Sequence, residues 1–406
     1  MRPDTLRTMS SSRSSPKSTE YATRPPTTHK GRISGWDDNG MNKQSTNIAK
    51  GIAIIMMLFH HTFYSSKAIA ERVGGEVAIS YVPLSSQLIF SIAKSCKLCV
   101  PIFVFITGYG TYRSFRSWRE SHGSQSAGSY VLTRHLRLLL QFLPIFVIGV
   151  TVCVLTGSRT LSGVYGGKGK IAGAFYMLVD AMGLAKAFGT PTFNGTWWYL
   201  SLAILFIYLL PPLVAFSDRF DSFALLAIVC LAPVLAKLKM TTDLTRYLPA
   251  LVLGIACSQH HLLDWHGKHE RPTLPQTLVT AAFAALAAGS LLFFEKKAGF
   301  TWFFHSVASL FVCELAVQIE RLQGRILAFL GKHSSNMFMC HTFFLSMLLP
   351  KQLYSLGHWA LIVLSLVSVS LLASVVLEFM KERGGYNALS DHVIQWVNGR
   401  VCSPDS

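Results

Sequence analysis

Two ionisable side chains, Lys50 and His61, lie in the first long apolar run of the chain. They are eleven residues apart, which corresponds to about 16 Å along an α-helix at roughly 1.5 Å per residue. At about 100° per residue, His61 returns to nearly the same helix face as Lys50, whereas His60 points roughly 80° away. Ionisable groups inside membrane spans are costly and usually functional, which makes this a candidate catalytic pair. The alternatives are a lysine that anchors the helix end and a histidine in a structural hydrogen bond.

Three further residues could take part in chemistry. His341 lies inside a later apolar run and is a second intramembrane titratable group that could partner His61. Arg134 and Arg137 precede the third apolar run and, three residues apart, share a helical face. A pair of guanidinium groups suits a phosphate-bearing ligand, and the alternative is an ordinary cluster of positive charge beside a membrane span.

The elements that must position these residues are membrane helices. Of the 406 residues, 51% are hydrophobic and 14% are charged, against roughly 25% charged residues in soluble domains. Apolar runs of about 17–25 residues are each long enough to cross a bilayer core of roughly 30 Å. The sequence therefore predicts an all-α, polytopic transmembrane helix bundle. About ten spans are expected, at 48–66, 86–112, 136–156, 197–216, 222–239, 244–259, 276–294, 300–318, 333–350 and 356–379. A weaker stretch, 171–187, predicts a membrane-surface or re-entrant helix.

The net charge of +17 is concentrated in alternate loops. That pattern predicts a multi-pass protein of the cell membrane with both termini in the cytoplasm, and it argues against a nucleic-acid partner. Residues 1–47 are basic and lack apolar periodicity, so they are expected to form a disordered cytoplasmic tail. Residues 48–380 form the predicted transmembrane domain, and 381–406 a short cytoplasmic tail.

No metal site is expected. Cys96 and Cys99 form a single C-x-x-C at the edge of a span, where packing is the favoured role. The histidines of one loop are spaced imperfectly for a single metal ion and indicate a solvated loop. They are His260, His261, His266 and His269.

Several segments, taken in order, resemble the acyltransferase-3 family of integral membrane acyltransferases. Lys50 and His61 match a first-helix motif of a basic residue, ten intervening residues and a histidine. The resemblance covers about residues 46–380. Its other matches are Phe103 to Gly108 with Thr107 in place of serine, Arg134 with Arg137, Trp198 to Leu200, and Gly331 to His341.

The resemblance implies an enzyme that moves an acyl group, expected to be acetyl, from cytoplasmic acyl-CoA to a sugar hydroxyl. The carbohydrate acceptor would be a surface polysaccharide or its lipid-linked precursor. Lys50, Arg134 and Arg137 would bind the acetyl-CoA co-substrate. His61 would act as general base or accept the acyl group itself, with His341 as acid or orienting group.

Ten spans with buried charge also describe secondary transporters, and a flippase for lipid-linked sugars is the nearest such alternative. A transporter would more often show paired broken helices and repeat symmetry, which the sequence lacks.

Overall fold

The computed structural model describes residues 41–122, 127–235, 242–263, 273–294, 301–321 and 324–401. Within these residues all regular secondary structure is helical, and the only β-type pairing is a single bridge between Ser80 and His358. The seventeen α-helices are α1 (Lys43–Phe63), α2 (Ser66–Val73), α3 (Ser86–Ser95), α4 (Cys99–His122), α5 (Ala127–Leu155), α6 (Leu161–Tyr165), α7 (Lys170–Ala181), α8 (Ala185–Phe188), α9 (Trp198–Phe220), α10 (Ser222–Leu235), α11 (Asp243–Gln259), α12 (Leu274–Phe294), α13 (Thr301–Arg321), α14 (Arg325–Thr342), α15 (Pro350–Tyr354), α16 (Trp359–Arg383) and α17 (Tyr386–Val401).

The predicted helix bundle is confirmed, and the described residues of all ten predicted spans are mainly helical. The span 86–112 is divided between α3 and α4, and 333–350 continues from α14 through a π-helix. In the described part of the chain, five helical segments are long and apolar enough to cross a membrane by themselves. They are Ser86–Ser121, Ala127–Leu155, Gly195–Phe220, Phe303–Glu320 and Trp359–Arg383. Helices α1 and α14 fall outside this set because each carries polar side chains that are buried against other helices instead of facing lipid.

Helix α1 lies at the centre of the bundle, packed on α14, α13, α4 and α3. Its start is capped by Asn42, whose side-chain oxygen accepts hydrogen bonds from the backbone N–H groups of Gln44 (2.7 Å) and Ser45 (3.1 Å). Glycines bring α1 and α14 into backbone contact. A Cβ on Gly331 would overlap the carbonyl of Asn47, and one on Gly51 would overlap that of Leu327. This close approach fixes the register in which the histidines of the two helices meet.

Helices α4 and α11 cross in the same way. A Cβ on Gly108 would overlap the carbonyl oxygen of Leu251, and one on Gly254 would overlap that of Phe105. The small residues of the second predicted span therefore serve close helix packing.

The two ends of the bundle differ in the side chains they carry. Helix α1 runs from Lys50 toward His61, and α4, α9 and α11 each begin beside the cavity near His61. We call this the histidine end, defined by His61, Lys97, Trp198 and Arg246. The opposite end, defined by Lys50, Arg116, Arg134 and Asp218, is the arginine end.

The segments outside the spans differ in part from expectation. Residues 1–40 of the predicted tail lie outside the described residues, and α1 already begins at Lys43. The predicted C-terminal tail contains α17, which is tied to α5: the Tyr386 hydroxyl donates to the Leu140 carbonyl at 2.7 Å, and Asn398 Nδ2 donates to Thr133 Oγ1 at 2.8 Å.

The stretch 171–187 is helical, as predicted, and contains most of α7 and part of α8. The outward face of α7 is apolar, with Ile171 90% exposed and both Phe175 and Leu178 58% exposed. An exposed apolar stripe on a helix suits contact with lipid at the membrane interface.

Candidate active site

His61 and His341 lie side by side at the histidine end. The centroids of the two imidazole rings are 5.0 Å apart, and the ring planes are inclined at 39°. The His341 side chain is fully buried, whereas His61 is half-buried and reaches the cavity described below. The pair comes from α1 and α14, the two helices held together by Gly51 and Gly331.

His60 lines the same cavity as His61, and the centroids of the two rings are 5.2 Å apart, but the His60 ring is held by the backbone. Its Nδ1 lies 2.7 Å from the backbone carbonyl of Ala93, an acceptor, so Nδ1 carries the proton and donates. Among the described residues no hydrogen bond is made to the His61 ring. His61 is thus the histidine of α1 whose ring nitrogens are available to a ligand.

A chain of hydrogen bonds orients His341. Its Nδ1 donates to the Phe338 carbonyl at 2.7 Å, which leaves Nε2 facing the Thr342 hydroxyl at 3.1 Å. The Thr342 hydroxyl lies 3.1 Å from that of Thr196, which in turn donates to Asn194 Oδ1 at 2.9 Å. The second histidine is therefore connected to the segment that leads into α9. A π-helix, Phe343–Leu348, follows directly after Thr342, and such insertions are frequent at functional sites.

Aromatic packing holds that same segment against α14. The Trp197 indole Nε1 donates to the Met339 carbonyl at 3.0 Å. Its ring contacts those of Phe142, Phe146 and Phe343 at centroid distances of 4.8, 5.5 and 5.8 Å. Aromatic pairs at these distances stabilise the fold by more than their buried area alone accounts for, so Trp197 holds the start of α9 against α5 and α14.

A buried carboxylate clamps the loop ahead of α9. Asp180, 1% exposed, accepts hydrogen bonds from the Tyr165 hydroxyl (2.6 Å), the Phe193 backbone N–H (2.6 Å) and the Thr192 hydroxyl (2.8 Å). Burial raises the pKa of the Asp180 carboxyl above its ordinary value, and the three donors act in the opposite direction. The clamp joins α6, α7 and residues 192–193 into one wall.

A cavity of about 630 Å³ opens beside His61, a size that suits a small-molecule ligand. Its floor includes His61 and Phe338, and its walls come from the starts of α4, α9 and α11 and from the loop clamped by Asp180. Trp198 and Tyr199 supply flat apolar surface, and Trp198 stacks on Tyr247 with ring centroids 6.0 Å apart. Three cations also line it, from three separate segments: Lys97, Lys186 and Arg246.

At the arginine end, Lys50 lies within electrostatic range of Arg134. Arg134 donates from Nε to the Tyr130 hydroxyl at 3.1 Å and from Nη2 to the Ser114 hydroxyl at 2.5 Å. Within the described ranges no carboxylate forms an ion pair with Lys50 or Arg134. Two neighbouring cations without a carboxylate between them repel each other, and a bound anion would relieve that repulsion.

Arg137 is placed apart from Arg134. It lines a smaller cavity of about 290 Å³ together with Lys381 and residues of α17, including Tyr386 and Asp391. Lys381 is buried there and donates to Glu378 Oε1 at 3.1 Å. The structure thus groups the five predicted site residues as His61 with His341, Lys50 with Arg134, and Arg137 in a site of its own.

Several residues of the site have no counterpart among the sequence-based predictions. The cavity cations come from three segments far apart in sequence, the turn before α4, α8 and α11, so only the fold brings them together. Two of these features left a weak signal in the sequence. Asp180 is a carboxylate in an otherwise apolar segment, and Thr342, which contacts both His341 and Thr196, directly follows His341. Among the described residues, no group of three His, Cys, Asp or Glu side chains is arranged to hold a metal ion. His266 and His269 lie outside those residues, and His260 Nε2 is 3.1 Å from Asp221.

Comparison with known proteins gives a family. No curated protein and no solved structure matches the chain significantly. A family model described as an acyltransferase domain matches residues 44–379, which is most of the chain and includes all five predicted site residues. The described part of the chain has five helices long and apolar enough to span a membrane. The matched region also contains the neighbouring histidines of α1 and α14. The chain therefore belongs to the acyltransferase-3 family and is a membrane acyltransferase.

Proposed function

We propose that this protein transfers an acyl group, acetyl in the first instance, from cytoplasmic acyl-CoA to a hydroxyl group of a sugar. The acceptor would belong to a surface polysaccharide or its lipid-linked precursor, and the enzyme would lie in the cell membrane with both termini in the cytoplasm. The observation that carries the proposal is the position of His61. It faces an open cavity on one side of the bundle and shares its helix with a cation cluster at the other end.

The donor is assigned to the arginine end. The phosphates of CoA would bind Lys50 and Arg134, whose positive charges are close together and have no carboxylate partner among the described residues. Tyr130 and Ser114 hold the Arg134 guanidinium in place, which reduces the side-chain entropy lost when an anion binds. Arg137 lines a separate cavity with Lys381, so it would act on the donor only through its longer-range positive charge. Because Lys50 and His61 are about 16 Å apart along α1, the extended pantetheine arm of CoA would bridge them.

The acceptor is assigned to the cavity at the histidine end. Sugars bind proteins through aromatic faces combined with polar groups, and this cavity offers both in Trp198, Tyr199 and the polar loop before α9. An acceptor hydroxyl on the cavity floor would meet His61.

The transfer step follows from these placements. His61 takes the proton from the sugar hydroxyl as the hydroxyl oxygen attacks the thioester carbonyl carbon. The new C–O bond forms, the C–S bond breaks, and the leaving CoA sulfur recovers the proton from His61. His341, held by the Phe338 carbonyl and Thr342, would orient His61 through the contact between the two rings. In a second route the His61 nitrogen itself accepts the acyl group and then passes it to the sugar.

The proposal is tested with purified protein in lipid nanodiscs, radiolabelled acetyl-CoA and acceptor glycans. We expect the wild type to form labelled glycan and free CoA. The rates of both should fall by about 10³-fold in His61→Asn, because proton transfer by a positioned base contributes roughly 10²–10⁴-fold. His60→Asn is the comparison variant, since the asparagine amide can keep the hydrogen bond to Ala93. Because His60 also lines the cavity, we expect its rate to fall by less than about tenfold, far less than that of His61→Asn.

The outcomes separate the alternatives. Label that stays on the protein when no acceptor is present, and that His61→Asn abolishes, supports the route through an acyl-histidine. The absence of CoA release with every acceptor, together with movement of a lipid-linked sugar across the membrane, would overturn the enzyme in favour of a flippase.

A further inference from the structure

The cavity at the histidine end is lined by positive charge that the described residues do not neutralise. Lys97 comes from the turn before α4, Lys186 from α8 and Arg246 from the first turns of α11. Lys97 and Arg246 are both close enough to His305 to act on it electrostatically, and Lys97 also acts on His61. Lys97 is thus near the candidate base, Lys97 and Arg246 share a neighbour, and Lys186 lines the same cavity.

Two carboxylates line the same cavity, and neither cancels these charges. Asp180 is buried, and its oxygens are already taken by Tyr165, Thr192 and Phe193. Asp243 is half-buried at the start of α11 and makes no ion pair with Lys97, Lys186 or Arg246 in the described part of the chain. Three cations therefore face the cavity against one available carboxylate.

The contrast with other cations supports a ligand role. Arg116 and Arg119 share Asp218, with N–O distances of 3.5 and 2.9 Å, and Lys381 is paired with Glu378. A cleft with one sign of charge and low-dielectric walls concentrates ligands of the opposite charge. Uncompensated cations around a cavity of sugar-binding size point to an anionic group on the ligand.

We propose that the acceptor is an anionic sugar, whose carboxylate or phosphate binds Lys97, Lys186 and Arg246 while a neighbouring hydroxyl faces His61. This assignment rests on the acyl transfer proposed above and names the substrate class of that reaction. The negative group has two possible sources, a uronic acid carboxylate in the glycan or a phosphate on the sugar. Both have the chemistry that a guanidinium and two ammonium groups recognise.

The test measures binding, independently of turnover, by titrating the nanodisc-embedded protein while recording tryptophan fluorescence, to which Trp197 and Trp198 of the cavity contribute. Three probes share one sugar ring: methyl glucoside, methyl glucuronoside and methyl glucoside 6-phosphate. We expect the anionic probes to bind about tenfold more tightly than the neutral one at low ionic strength, with the preference shrinking as salt is added. The tighter of the two anionic probes identifies the source of the charge.

Matched variants locate the effect. Arg246→Gln and the double variant Lys97→Gln/Lys186→Gln should each reduce the affinity for the anionic probes several-fold more than the affinity for methyl glucoside. Lys67→Gln is the control, because Lys67 is exposed at the same end of the bundle but does not line this cavity. Equal binding of all three probes by the wild type, or a preference that survives in both cation variants, would overturn the inference.

Acetyl-CoA turnover is recorded in parallel, so that failure of the two proposals can be distinguished. CoA release that depends on His61, without any preference for anionic probes, retains the acyltransferase proposal and overturns the anionic acceptor. A preference that depends on the cations, without CoA release, supports the anionic cavity and overturns the transfer reaction proposed for it.

Discussion

The arginine end and the histidine end of the bundle are both rich in cations, but they use them differently. At the arginine end the guanidinium groups of Arg116 and Arg119 are held by Asp218, and that of Arg134 by Tyr130 and Ser114. At the histidine end Lys97, Lys186 and Arg246 surround an open cavity without carboxylate partners among the described residues. The first arrangement fixes side chains before any ligand arrives, whereas the second leaves charge for a ligand to neutralise.

The difference suits two kinds of substrate. A donor common to many enzymes, such as acyl-CoA, can be met by rigid groups at fixed positions, which lowers the entropic cost of binding. An acceptor that enters the cavity at the other end meets cations from three separate segments together with aromatic surface. His61 lies at the histidine end, on α1, the helix that passes from one end of the bundle to the other.

The largest expected effect concerns the donor site. Arg134→Gln should raise the KM for acetyl-CoA by at least about tenfold, because a charge-assisted hydrogen bond contributes roughly 1.5–3 kcal/mol. Steady-state kinetics at saturating acceptor would measure it. Arg119→Gln is the matched control, since Arg119 is exposed and bound to Asp218, and should change this KM less than about threefold. Equal effects of the two variants would mean that Arg134 has no special role at the arginine end.

The next effect concerns the wall of the cavity. Asp180→Asn replaces one carboxylate oxygen with a donor that faces other donors, so we expect the free energy of unfolding to fall by about 1–3 kcal/mol. Thermal unfolding in nanodiscs would record it. Glu71→Gln removes a carboxylate from an exposed pair, 3.9 Å from Lys67, and should leave the unfolding temperature near that of the wild type. A variant at Asp180 as stable as the Glu71 variant would show that the clamp is dispensable.

A smaller effect is expected for the threonine chain that orients His341. Thr196→Val keeps the shape of the side chain but removes the hydroxyl that reaches Thr342, so kcat should fall about three- to tenfold with the KM for acetyl-CoA unchanged. Thr190→Val is the control, because the one hydrogen bond of the Thr190 hydroxyl within the described ranges is a long one, 3.4 Å to the Ala185 carbonyl. A change in KM without a change in kcat would contradict a positioning role.

The sequence predicted the parts of this protein that depend on local pattern. Apolar runs located the helical segments of all ten predicted spans. Helical periodicity predicted that His61, not His60, shares a face with Lys50. His60 is indeed held by Ala93, which neither periodicity nor composition could predict.

What the sequence could not predict depends on contacts between distant segments. Arg134 and Arg137 share a face by spacing, yet residues three apart differ by about 60° around a helix. That angle is enough for Arg134 to turn toward Ser114 and Arg137 toward α17. The Asp180 hydrogen bonds and the three cavity cations arise only when segments far apart in the chain pack at the same end of the bundle.

The central claim is that the two ends of the bundle bind the two substrates of one reaction. The most direct test places a bulky side chain in the cavity at the histidine end and leaves the arginine end unchanged. Gly195 lines the cavity, and a Cβ built there meets nothing within 4 Å, so Gly195→Phe can project into the cavity with little strain. We predict that this variant raises the KM for the acceptor at least about tenfold and leaves the KM for acetyl-CoA as in the wild type, the reverse of Arg134→Gln. A Gly195→Phe enzyme whose KM for acetyl-CoA rises while that for the acceptor stays unchanged would contradict the account.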